Sequence, residues 1–397
     1  TRTTDPRHIS YPCLFSRKKE RMSAAGLSPL TSQKGITETW LGEILTHKFR
    51  KEALVTAFSA KAPLSRDGFL SEICYVEVIY STQAGKDQRV SLVVKFLPEG
   101  PEVREFVKEA NLGQREVEFY NYSNSKEFKT FCKKSGLPHP VPKIYWSGLT
   151  DDALTIVLHN LNMDGYRMVN PAEGNNIEQI MSVLRSIAVI HSAGVANMRR
   201  HGSHHTLDIP FDSSVLLELL HKGLDIQDNM YANTHWAEIL ALVRTRAVDL
   251  VNIAKKHPLF STIIHSDLWT GNVMFSADDH TAAIIDWQFA QIGNPICDII
   301  TLLFMSAHPT VYTYHLDQVL SCYWERLTSA MKMNDLPMNV TYQQLRDNVE
   351  RLWMYGYMFL TASLPDLLPN NKITEERFRA VVTFLHDRRA FTAFLNS

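Results

Sequence analysis

Two short stretches of this 397-residue sequence decide its fold, and they read IHSDLWTGN at residues 264–272 and IIDW at residues 284–287. The first stretch places Asp267 and Asn272 five positions apart on one predicted loop. The second places Asp286 at the end of a predicted β-strand. An aspartate, an asparagine and then a second aspartate form the arrangement that phosphoryl transfer to a hydroxyl group requires.

The charges involved in such a transfer suggest a role for each side chain. Mg²⁺ prefers oxygen ligands, commonly one or two carboxylates together with the phosphates of a nucleotide, so we predict Asn272 and Asp286 as metal ligands. Asp267 is then left as the catalytic base that accepts the proton of the acceptor hydroxyl. For His265 we expect a structural role, in which the imidazole holds the catalytic loop.

The same chemistry requires a lysine on a strand of a first lobe, held near the nucleotide phosphates by a glutamate on a helix. Lys95 closes a predicted strand and Glu116 lies on the helix that follows, so an ion pair between them would fix the lysine. Taken singly, Lys95 and Glu116 are ordinary surface charges, and Asp267 or Asp286 could cap a helix or a turn. It is their joint occurrence in the right chain order that favours a kinase site.

Composition narrows the class of protein and its partners. With 45% hydrophobic residues and 41 basic against 42 acidic side chains, the chain should fold and should not be drawn to nucleic acid. The apolar runs are far shorter than the roughly 20 residues of a membrane helix, so we expect no membrane partner. Five widely spaced cysteines without a CxxC motif predict neither a disulfide framework nor a zinc site. We therefore expect a cytoplasmic protein, and the oligomeric state stays open.

Apolar periodicity predicts an α+β chain in which strands and helices are followed by a mainly helical part. The predicted early helices cover 40–58, with a cap near Thr37, and 102–122. The predicted strands of this part cover 73–80, 90–96, 143–146 and 154–158. The later helices are predicted at 177–191, 214–224, 237–256 and from 296 onward, with β-rich runs at 273–275 and 283–285.

These elements predict three parts of the chain. Residues 1–26 should form a disordered basic tail, with a transit peptide as the alternative interpretation. Residues 27–161 should form an N-lobe with the nucleotide-binding sheet and a helix. Residues 162–397 should form a helical C-lobe with the catalytic loop, the metal-binding loop and the acceptor site.

The sequence resembles the ecdysteroid kinase-like (CHK kinase-like) small-molecule kinases, relatives of choline kinases and aminoglycoside phosphotransferases. The resemblance covers about residues 37–390. The motifs that carry it are VK at 94–95, EVEFY at 116–120, LHNLNMDGY at 158–166, His191, HSDLW at 265–269 with Asn272, and IDWQ at 285–288. It implies a bilobal protein-kinase-like fold, ATP and Mg²⁺ as cofactors, and a small hydroxylated molecule as acceptor.

The resemblance also implies roles for residues outside the catalytic stretch. Asp298 matches the acid that supports the catalytic loop through backbone N–H groups. Gly68 and Ser71 fall where the family has its lid over the phosphates, and Leu158 and Asn160 fall at the hinge beside adenine. His191, on an apolar helix face, is expected to pack rather than to catalyse.

Three positions depart from the family pattern. Ser266 stands where relatives usually have glycine, which adds a hydroxyl group to a tight loop. His159 and Asn160 replace a Glu-Asp pair at the hinge edge, which removes two carboxylates and puts any hydrogen bonds that this pair makes in doubt. Trp287 and Gln288 follow the metal-binding aspartate where protein kinases have Phe-Gly, which disfavours protein kinase activity.

The acceptor is the least determined part of the prediction. The methionine- and aromatic-rich residues 353–359 are most simply core, but in the family the acceptor site adjoins the C-terminal helices, so some of them could line it. Such a pocket would suit a bulky apolar acceptor with a hydroxyl group, for example a sterol or a glucoside with an aromatic aglycone. Two alternatives stay open: a pseudokinase that binds nucleotide without turnover, and a choline or ethanolamine kinase.

Overall fold

The computed structural model describes residues 27–63, 70–82, 85, 87–202, 206–209, 213–367 and 372–397. The chain forms two lobes, an antiparallel sheet with helices followed by a mostly helical part. This is the predicted bilobal α+β, protein-kinase-like fold. The predicted tail at 1–26 and the predicted lid residue Gly68 lie outside the described residues.

The N-lobe is built on a five-stranded sheet in the order β1-β2-β3-β5-β4, in which all neighbours are antiparallel. Its strands are β1 (Ala53–Lys61), β2 (Glu72–Thr82), β3 (Gln88–Phe96), β4 (Ile144–Leu149) and β5 (Leu154–His159). Lys95 pairs with Ile73 on β2 and with Ile156 on β5. Lys95 is therefore on the central strand, where both neighbours fix its position.

Four helices accompany this sheet: α1 (Glu38–Phe49), α2 (Pro101–Glu109), α3 (Leu112–Ser123) and α4 (Lys126–Lys134). Thr37 caps α1 as predicted, because its hydroxyl accepts a hydrogen bond from Trp40 N at 3.2 Å. The helix predicted over 40–58 is too long, since Arg50 takes a left-handed conformation (φ 55°) and the chain continues as β1. The single helix predicted over 102–122 is two helices, broken at Asn111, which is also left-handed (φ 56°).

The C-lobe is mainly helical. Its helices are α5 (Ile177–His201), α6 (Ser213–Tyr231), α7 (Ala237–Thr245), α8 (Ala247–Val251), α9 (Ile253–Lys256), α10 (Ile296–Ser306), α11 (Pro309–Tyr314), α12 (Leu316–Met333), α13 (Tyr342–Leu367), α14 (Lys372–Asp387) and α15 (Ala390–Leu395). The helix predicted over 237–256 is thus three short helices. Helix α5 packs on α12, and α13 packs on α6 and α10, so these helices form the centre of the lobe.

Among the described helices, α5 alone has the length and apolar composition of a membrane-crossing segment. In this structure 83% of its most apolar window is buried inside the protein. The apolar surface of α5 is therefore largely covered by other parts of the protein.

Two small antiparallel ladders carry the loops of interest. Strand β6 (Thr262–Ile264) pairs with β9 (Gln291–Gly293), and β7 (Val273–Phe275) pairs with β8 (Ala282–Ile284). The sequence predicts β7 and β8 but not β6 and β9. A 3₁₀ turn at Thr270–Asn272 leads into β7, and three others lie at Gln33–Gly35, Leu161–Asp164 and Thr206–Asp208. Residues 265–272 and 285–290 thereby become two loops anchored by strands on either side.

Candidate active site

Lys95 lies at the centre of a buried charge cluster between the two lobes. Its ammonium nitrogen Nζ is 2.7 Å from Oε1 and 2.9 Å from Oε2 of Glu116 on α3. The same nitrogen is 2.9 Å from Oδ1 of Asp286, which follows strand β8. The structure thus brings together three of the predicted site residues from three separate elements.

The electrostatics of this cluster favour a charged lysine. Burial by itself lowers the pKa of Lys95, but the nearby carboxylates of Asp286 and Glu116 outweigh burial and raise that pKa above its usual value. Asp286 is the most exposed of the three side chains, at 24%. Its carboxylate is therefore the one that solvent, and with it a small ligand, reaches most easily.

Asp267 and Asn272 face each other across the catalytic loop. The amide nitrogen of Asn272 donates to Oδ2 of Asp267 and to its backbone carbonyl, both at 2.9 Å. Burial raises the pKa of Asp267 to about 8, with the negative charges of Asp286 and Asp298 adding to the rise and the Asn272 hydrogen bond opposing it. Because the amide nitrogen of Asn272 is used in this way, its oxygen is the atom left for a cation.

Asp298, at the start of α10, holds the backbone of this loop. Its Oδ2 accepts a hydrogen bond from His265 N at 2.7 Å, and its Oδ1 accepts one from Ser266 N at 2.9 Å. His191 Nε2 donates to the same Oδ2 at 3.2 Å, and His191 Nδ1 is 2.9 Å from the hydroxyl of Tyr323 on α12. All of these side chains are buried. His191 therefore packs in the core, and it also supports the carboxylate that supports the loop.

His265 joins the loop at residues 265–272 to the loop at residues 285–290. Its Nε2 donates to the carbonyl of Ile285 at 2.9 Å, and its Nδ1 accepts from Asp267 N at 3.2 Å. Burial lowers the pKa of His265, in keeping with a neutral ring that donates from one nitrogen and accepts at the other. The ring also packs edge-on against Trp287, with the ring centroids 4.5 Å apart.

Ser266, the first departure from the family pattern, has a left-handed backbone (φ 65°). Glycine adopts this conformation without strain, whereas a serine does so at some expense of stability, which explains why relatives usually have glycine there. The serine hydroxyl accepts a hydrogen bond from Gln291 Nε2 at 2.9 Å. The departure thus adds a link between the catalytic loop and β9.

The hinge residues Leu158 and Asn160 lie at and just beyond the end of β5. Asn160 is buried, and its amide donates to Ser91 Oγ at 2.9 Å while its side-chain oxygen accepts from Asn162 N at 3.1 Å. The amide nitrogen and oxygen of this side chain therefore each have a partner within the protein, and the assignment of Asn160 to the nucleotide site stays a prediction. Leu158 stays predicted at the hinge, and Ser71 lies next to the first residue of β2.

Most of the residues at 353–359 belong to the core of the C-lobe. Trp353, Met354, Tyr357 and Met358 are buried, as the simpler interpretation expects. Tyr355 is also buried, next to the Cys297 thiol near the start of α10, and burial raises its pKa, with the nearby Cys297, Asp298 and Asp267 adding to the rise. Tyr355 therefore lies close to the end of α10 that carries Asp298.

A model of the ecdysteroid kinase-like family matches residues 65–335, which is more than half of the chain. The chain belongs to the ecdysteroid kinase-like family. The match confirms the predicted family, and with it the prediction of a small-molecule kinase that acts on a hydroxyl acceptor.

Three examples illustrate the solved structures that are similar to this ecdysteroid kinase-like chain. A choline/ethanolamine kinase family protein from Mesorhizobium loti is 15% identical, with 84% of this chain and 92% of that chain covered and a TM-score of 0.43. An ethanolamine kinase from Plasmodium vivax is 12% identical, with 84% of each chain covered and a TM-score of 0.39. A type I macrolide 2'-phosphotransferase is 15% identical, with 88% and 98% covered and a TM-score of 0.40. No curated protein sequence shows significant similarity to the chain.

The donor atoms of this ecdysteroid kinase-like site fit a hard divalent cation. Asp286 and the side-chain oxygen of Asn272 are oxygen ligands of the kind that Mg²⁺ prefers. Within the described ranges, no three His, Cys, Asp or Glu side chains form a group that could hold a metal ion. A cation bound by Asp286 and Asn272 would take its other ligands from water and from the phosphates of a bound nucleotide.

Two further residues support this site and are not predicted from the sequence, Arg115 and Gln291. Arg115 occupies a buried position on α3, one turn before the buried Phe119 and next to Glu116. A charged residue within this helical stripe of buried positions is a signal that could have identified it. Gln291 has no such local signal, because its contact with Ser266 depends on the pairing of β6 with β9.

Proposed function

We propose that this protein transfers the γ-phosphoryl group of ATP to a hydroxyl group of a small apolar molecule, with Asp267 as the catalytic base. The observation that supports this most directly is the partly buried Asp267 carboxylate, which Asn272 holds at 2.9 Å and whose pKa is raised by burial and by the nearby charge of Asp286. A carboxylate in this setting is oriented and has the proton affinity that a general base needs near neutral pH.

In the proposed reaction, Asp267 Oδ1 or Oδ2 receives the hydroxyl proton as the acceptor oxygen forms a bond to the γ-phosphorus of ATP. The bond between that phosphorus and the β,γ-bridging oxygen breaks, and ADP leaves with the bonding electron pair. The hydrogen bond from Asn272 fixes the carboxylate, and Asp298 fixes the loop that carries it. Since phosphoryl transfer depends mainly on positioning and on charge neutralisation, a rigid loop contributes directly to the rate.

Lys95 would bind the α and β phosphates of the nucleotide, with Glu116 orienting its ammonium group. Asp286 and Asn272 would hold Mg²⁺, which when bound neutralises phosphate charge. The pair of Lys95 with Asp286 keeps these groups close together before any ligand arrives. For the adenine we propose a place beside Leu158, under a lid formed around Gly68 and Ser71.

For the acceptor we propose a bulky apolar molecule with a free hydroxyl group, such as a sterol or a glucoside. The support is the position of Tyr355 beside Cys297, the neighbour of Asp298 on α10, with the Phe359 ring stacked on it at a centroid distance of 6.3 Å. Aromatic surfaces of this kind bind apolar rings well and leave the hydroxyl to be oriented by polar groups.

We also propose a cytoplasmic location, without nucleic acid or membrane as a partner. Four cysteines of the described chain (Cys74, Cys132, Cys297 and Cys322) are free thiols, as expected in a reducing compartment. Fractionation of cells that express the full-length protein tests the location, and recovery in a membrane or organelle fraction would contradict it.

The function is tested by incubating the purified protein with Mg²⁺, ATP and a mixed library of sterols, glucosides, choline, ethanolamine and aminoglycosides. Mass spectrometry then identifies any compound that gains a phosphoryl group. We expect a product from the sterol or glucoside part of the library. A product from choline or ethanolamine instead would support the alternative acceptor class.

Asp267→Asn is the critical variant, because it keeps the shape of the side chain and removes the base. Loss of a general base commonly slows a reaction by about 100-fold or more. Asp151→Asn, at an exposed turn of the N-lobe, is the matched control and should keep full activity. Turnover by Asp267→Asn within a few-fold of the parent would show that Asp267 is not the base. Binding of Mg²⁺ and ATP without any product would favour the pseudokinase.

A further inference from the structure

Helix α3 belongs to the N-lobe by sequence, yet it is fastened to the C-lobe by a buried arginine. Arg115 is 2% exposed, and its guanidinium donates three hydrogen bonds to backbone carbonyls. Its Nε reaches Ala110 at 3.3 Å, its Nη1 reaches Ala290 at 3.1 Å, and its Nη2 reaches Ile209 at 2.7 Å. The last two acceptors lie in the C-lobe, one of them in the segment that follows the metal-binding aspartate.

Other side chains of α3 make parallel contacts with the C-lobe. Glu118 Oε2 accepts a hydrogen bond from Thr206 N at 3.1 Å, in the same segment as Ile209. The hydroxyl of Tyr122 donates to the carbonyl of Ala193 on α5 at 2.8 Å. Phe119 stacks on Trp287 with the ring centroids 3.6 Å apart. These contacts are distributed over two turns of the helix, so they fix both its position and its rotation.

Arg115 and Glu116 are neighbours on this helix, and they point to different partners. Successive side chains on an α-helix are about 100° apart, so one turn presents Glu116 to Lys95 and Arg115 to the C-lobe. A rotation or shift of α3 that moved Glu116 away from Lys95 would also pull the guanidinium from its carbonyls. That movement is unfavourable because a buried charge without hydrogen-bond partners is strongly destabilising.

We propose that Arg115 is a positioning residue that holds Glu116, and through it Lys95, in the arrangement that binds nucleotide phosphates. The inference rests on the proposed kinase function. The acceptors of Arg115 are main-chain carbonyls, which neither titrate nor carry a modification. We call these hydrogen bonds from Arg115 to the C-lobe carbonyls the Arg115 clamp. The Arg115 clamp therefore forms without an activating event at α3, and the same holds for the Lys95–Glu116 pair.

The first test measures the clamp itself, without nucleotide. Amide hydrogen exchange over residues 112–123 is compared between the parent and Arg115→Lys, which keeps a positive charge but loses the planar fork of donors. Arg115→Met is made alongside, because it leaves no unpaired charge in the core. We expect faster exchange in α3 in both variants. Unchanged exchange in α3 would overturn the proposal, whatever the protein binds.

The second test asks whether Arg115 acts through Glu116, by calorimetric titration of Mg²⁺ and ATP into each variant. We expect Arg115→Lys to weaken binding about tenfold, as the loss of a buried charged hydrogen bond would. The double variant Arg115→Lys with Glu116→Gln should bind no more weakly than Glu116→Gln alone. Losses that add in the double variant would show that Arg115 stabilises the fold without positioning Glu116.

The matched control is Arg246→Lys, since Arg246 Nη1 donates to the carbonyls of Phe394 at 3.3 Å and Leu395 at 3.1 Å in a distant part of the C-lobe. The Arg246→Lys variant should leave hydrogen exchange in α3 and the affinity for ATP unchanged. If Arg246→Lys changed both quantities as much as Arg115→Lys does, the proposal would be overturned. If the parent itself binds no ATP, the proposed function fails, while hydrogen exchange still decides whether Arg115 clamps α3.

Discussion

Ser266 and Asp286 have left-handed backbones on the two loops of the site, at φ 65° and 61°. An aspartate tolerates this conformation better than a serine, because its short polar side chain can hydrogen-bond locally. The left-handed backbone of Ser266 destabilises the loop, whereas the hydrogen bond that its hydroxyl accepts from Gln291 stabilises it. Substitutions at Ser266 can separate them.

Ser266→Gly should change the free energy of unfolding by less than about 1 kcal/mol, since relief of strain offsets the lost hydrogen bond and the flexibility of glycine. Ser266→Ala loses the hydrogen bond and keeps the strain, so it should be less stable than the parent by about 1 kcal/mol. Urea unfolding of the three proteins checks this order. An alanine variant as stable as the parent would show that the Ser266–Gln291 bond contributes nothing.

Asp267 should make the stability of the protein depend on pH. Its pKa in the folded protein is about 8, against about 3.9 in an unfolded chain. Between these values the folded state binds one more proton, so the free energy of unfolding falls as the pH rises. Asp267→Asn has no titrating group at this position. Its free energy of unfolding, relative to that of the parent, should therefore rise by at least about 1 kcal/mol from pH 5 to pH 8.

Urea unfolding at the two pH values, in the presence of EDTA, measures this difference. EDTA is needed because a bound cation would favour the charged carboxylate. A stability difference between Asp267→Asn and the parent that is the same at pH 5 and pH 8 would contradict the raised pKa. Asp151→Asn, with an exposed carboxylate, serves as the control for the substitution.

At the scale of elements, α5, α10 and α12 meet at the buried chain of Tyr323, His191 and Asp298. His191→Ala would leave the Asp298 carboxylate buried with one partner fewer and should lower the free energy of unfolding by about 3 kcal/mol. Tyr323→Phe removes only the hydrogen bond between the Tyr323 hydroxyl and His191, and it should lower the free energy of unfolding by about 1 kcal/mol.

Chemical unfolding and the rate of phosphoryl transfer check both variants. We expect the rate to fall in His191→Ala, because Asp298 also holds the backbone N–H groups of His265 and Ser266. Equal destabilisation by the two substitutions would contradict the view that the His191–Asp298 contact is the stronger link.

The elements that sequence patterns predict best are those marked by a continuous local run of apolar residues. Strands β2, β3 and β5 are predicted within a few residues, because their apolar and β-branched runs are continuous. The helix breaks at Arg50 and Asn111 are not predicted, since neither residue is a glycine or a proline and each takes a left-handed conformation. Strands β6 and β9 are three residues each and exist through their mutual pairing.

The same distinction applies to the candidate site. The sequence predicts Lys95, Glu116, Asp267, Asn272 and Asp286 from their order and spacing, and the structure brings them together in one place. The sequence does not predict the direct contact between Lys95 and Asp286, which are 191 positions apart. Such contacts arise from the packing of the two lobes, which no local pattern encodes.

At the scale of the whole molecule, the site is assembled from both lobes. Lys95 and Glu116 come from the N-lobe, while Asp267, Asn272 and Asp286 come from the C-lobe. A nucleotide with Mg²⁺ would contact groups from each, so its binding energy would add to the energy that holds the lobes together. Ligand binding should therefore stabilise the protein against unfolding as a unit.

Mg²⁺ with ATP should raise the melting temperature of the parent, and at 100 times the dissociation constant the stabilisation should be about 3 kcal/mol. Asp286→Asn should lose the part of this rise that depends on Mg²⁺, because an amide is a weaker ligand than a carboxylate. Asparagine also tolerates the left-handed backbone of Asp286, so the loop should keep its shape. Differential scanning fluorimetry with ATP plus Mg²⁺, and with ATP plus EDTA, separates the two contributions, and Asp151→Asn should behave as the parent does. A full Mg²⁺-dependent rise in Asp286→Asn would show that the cation binds elsewhere.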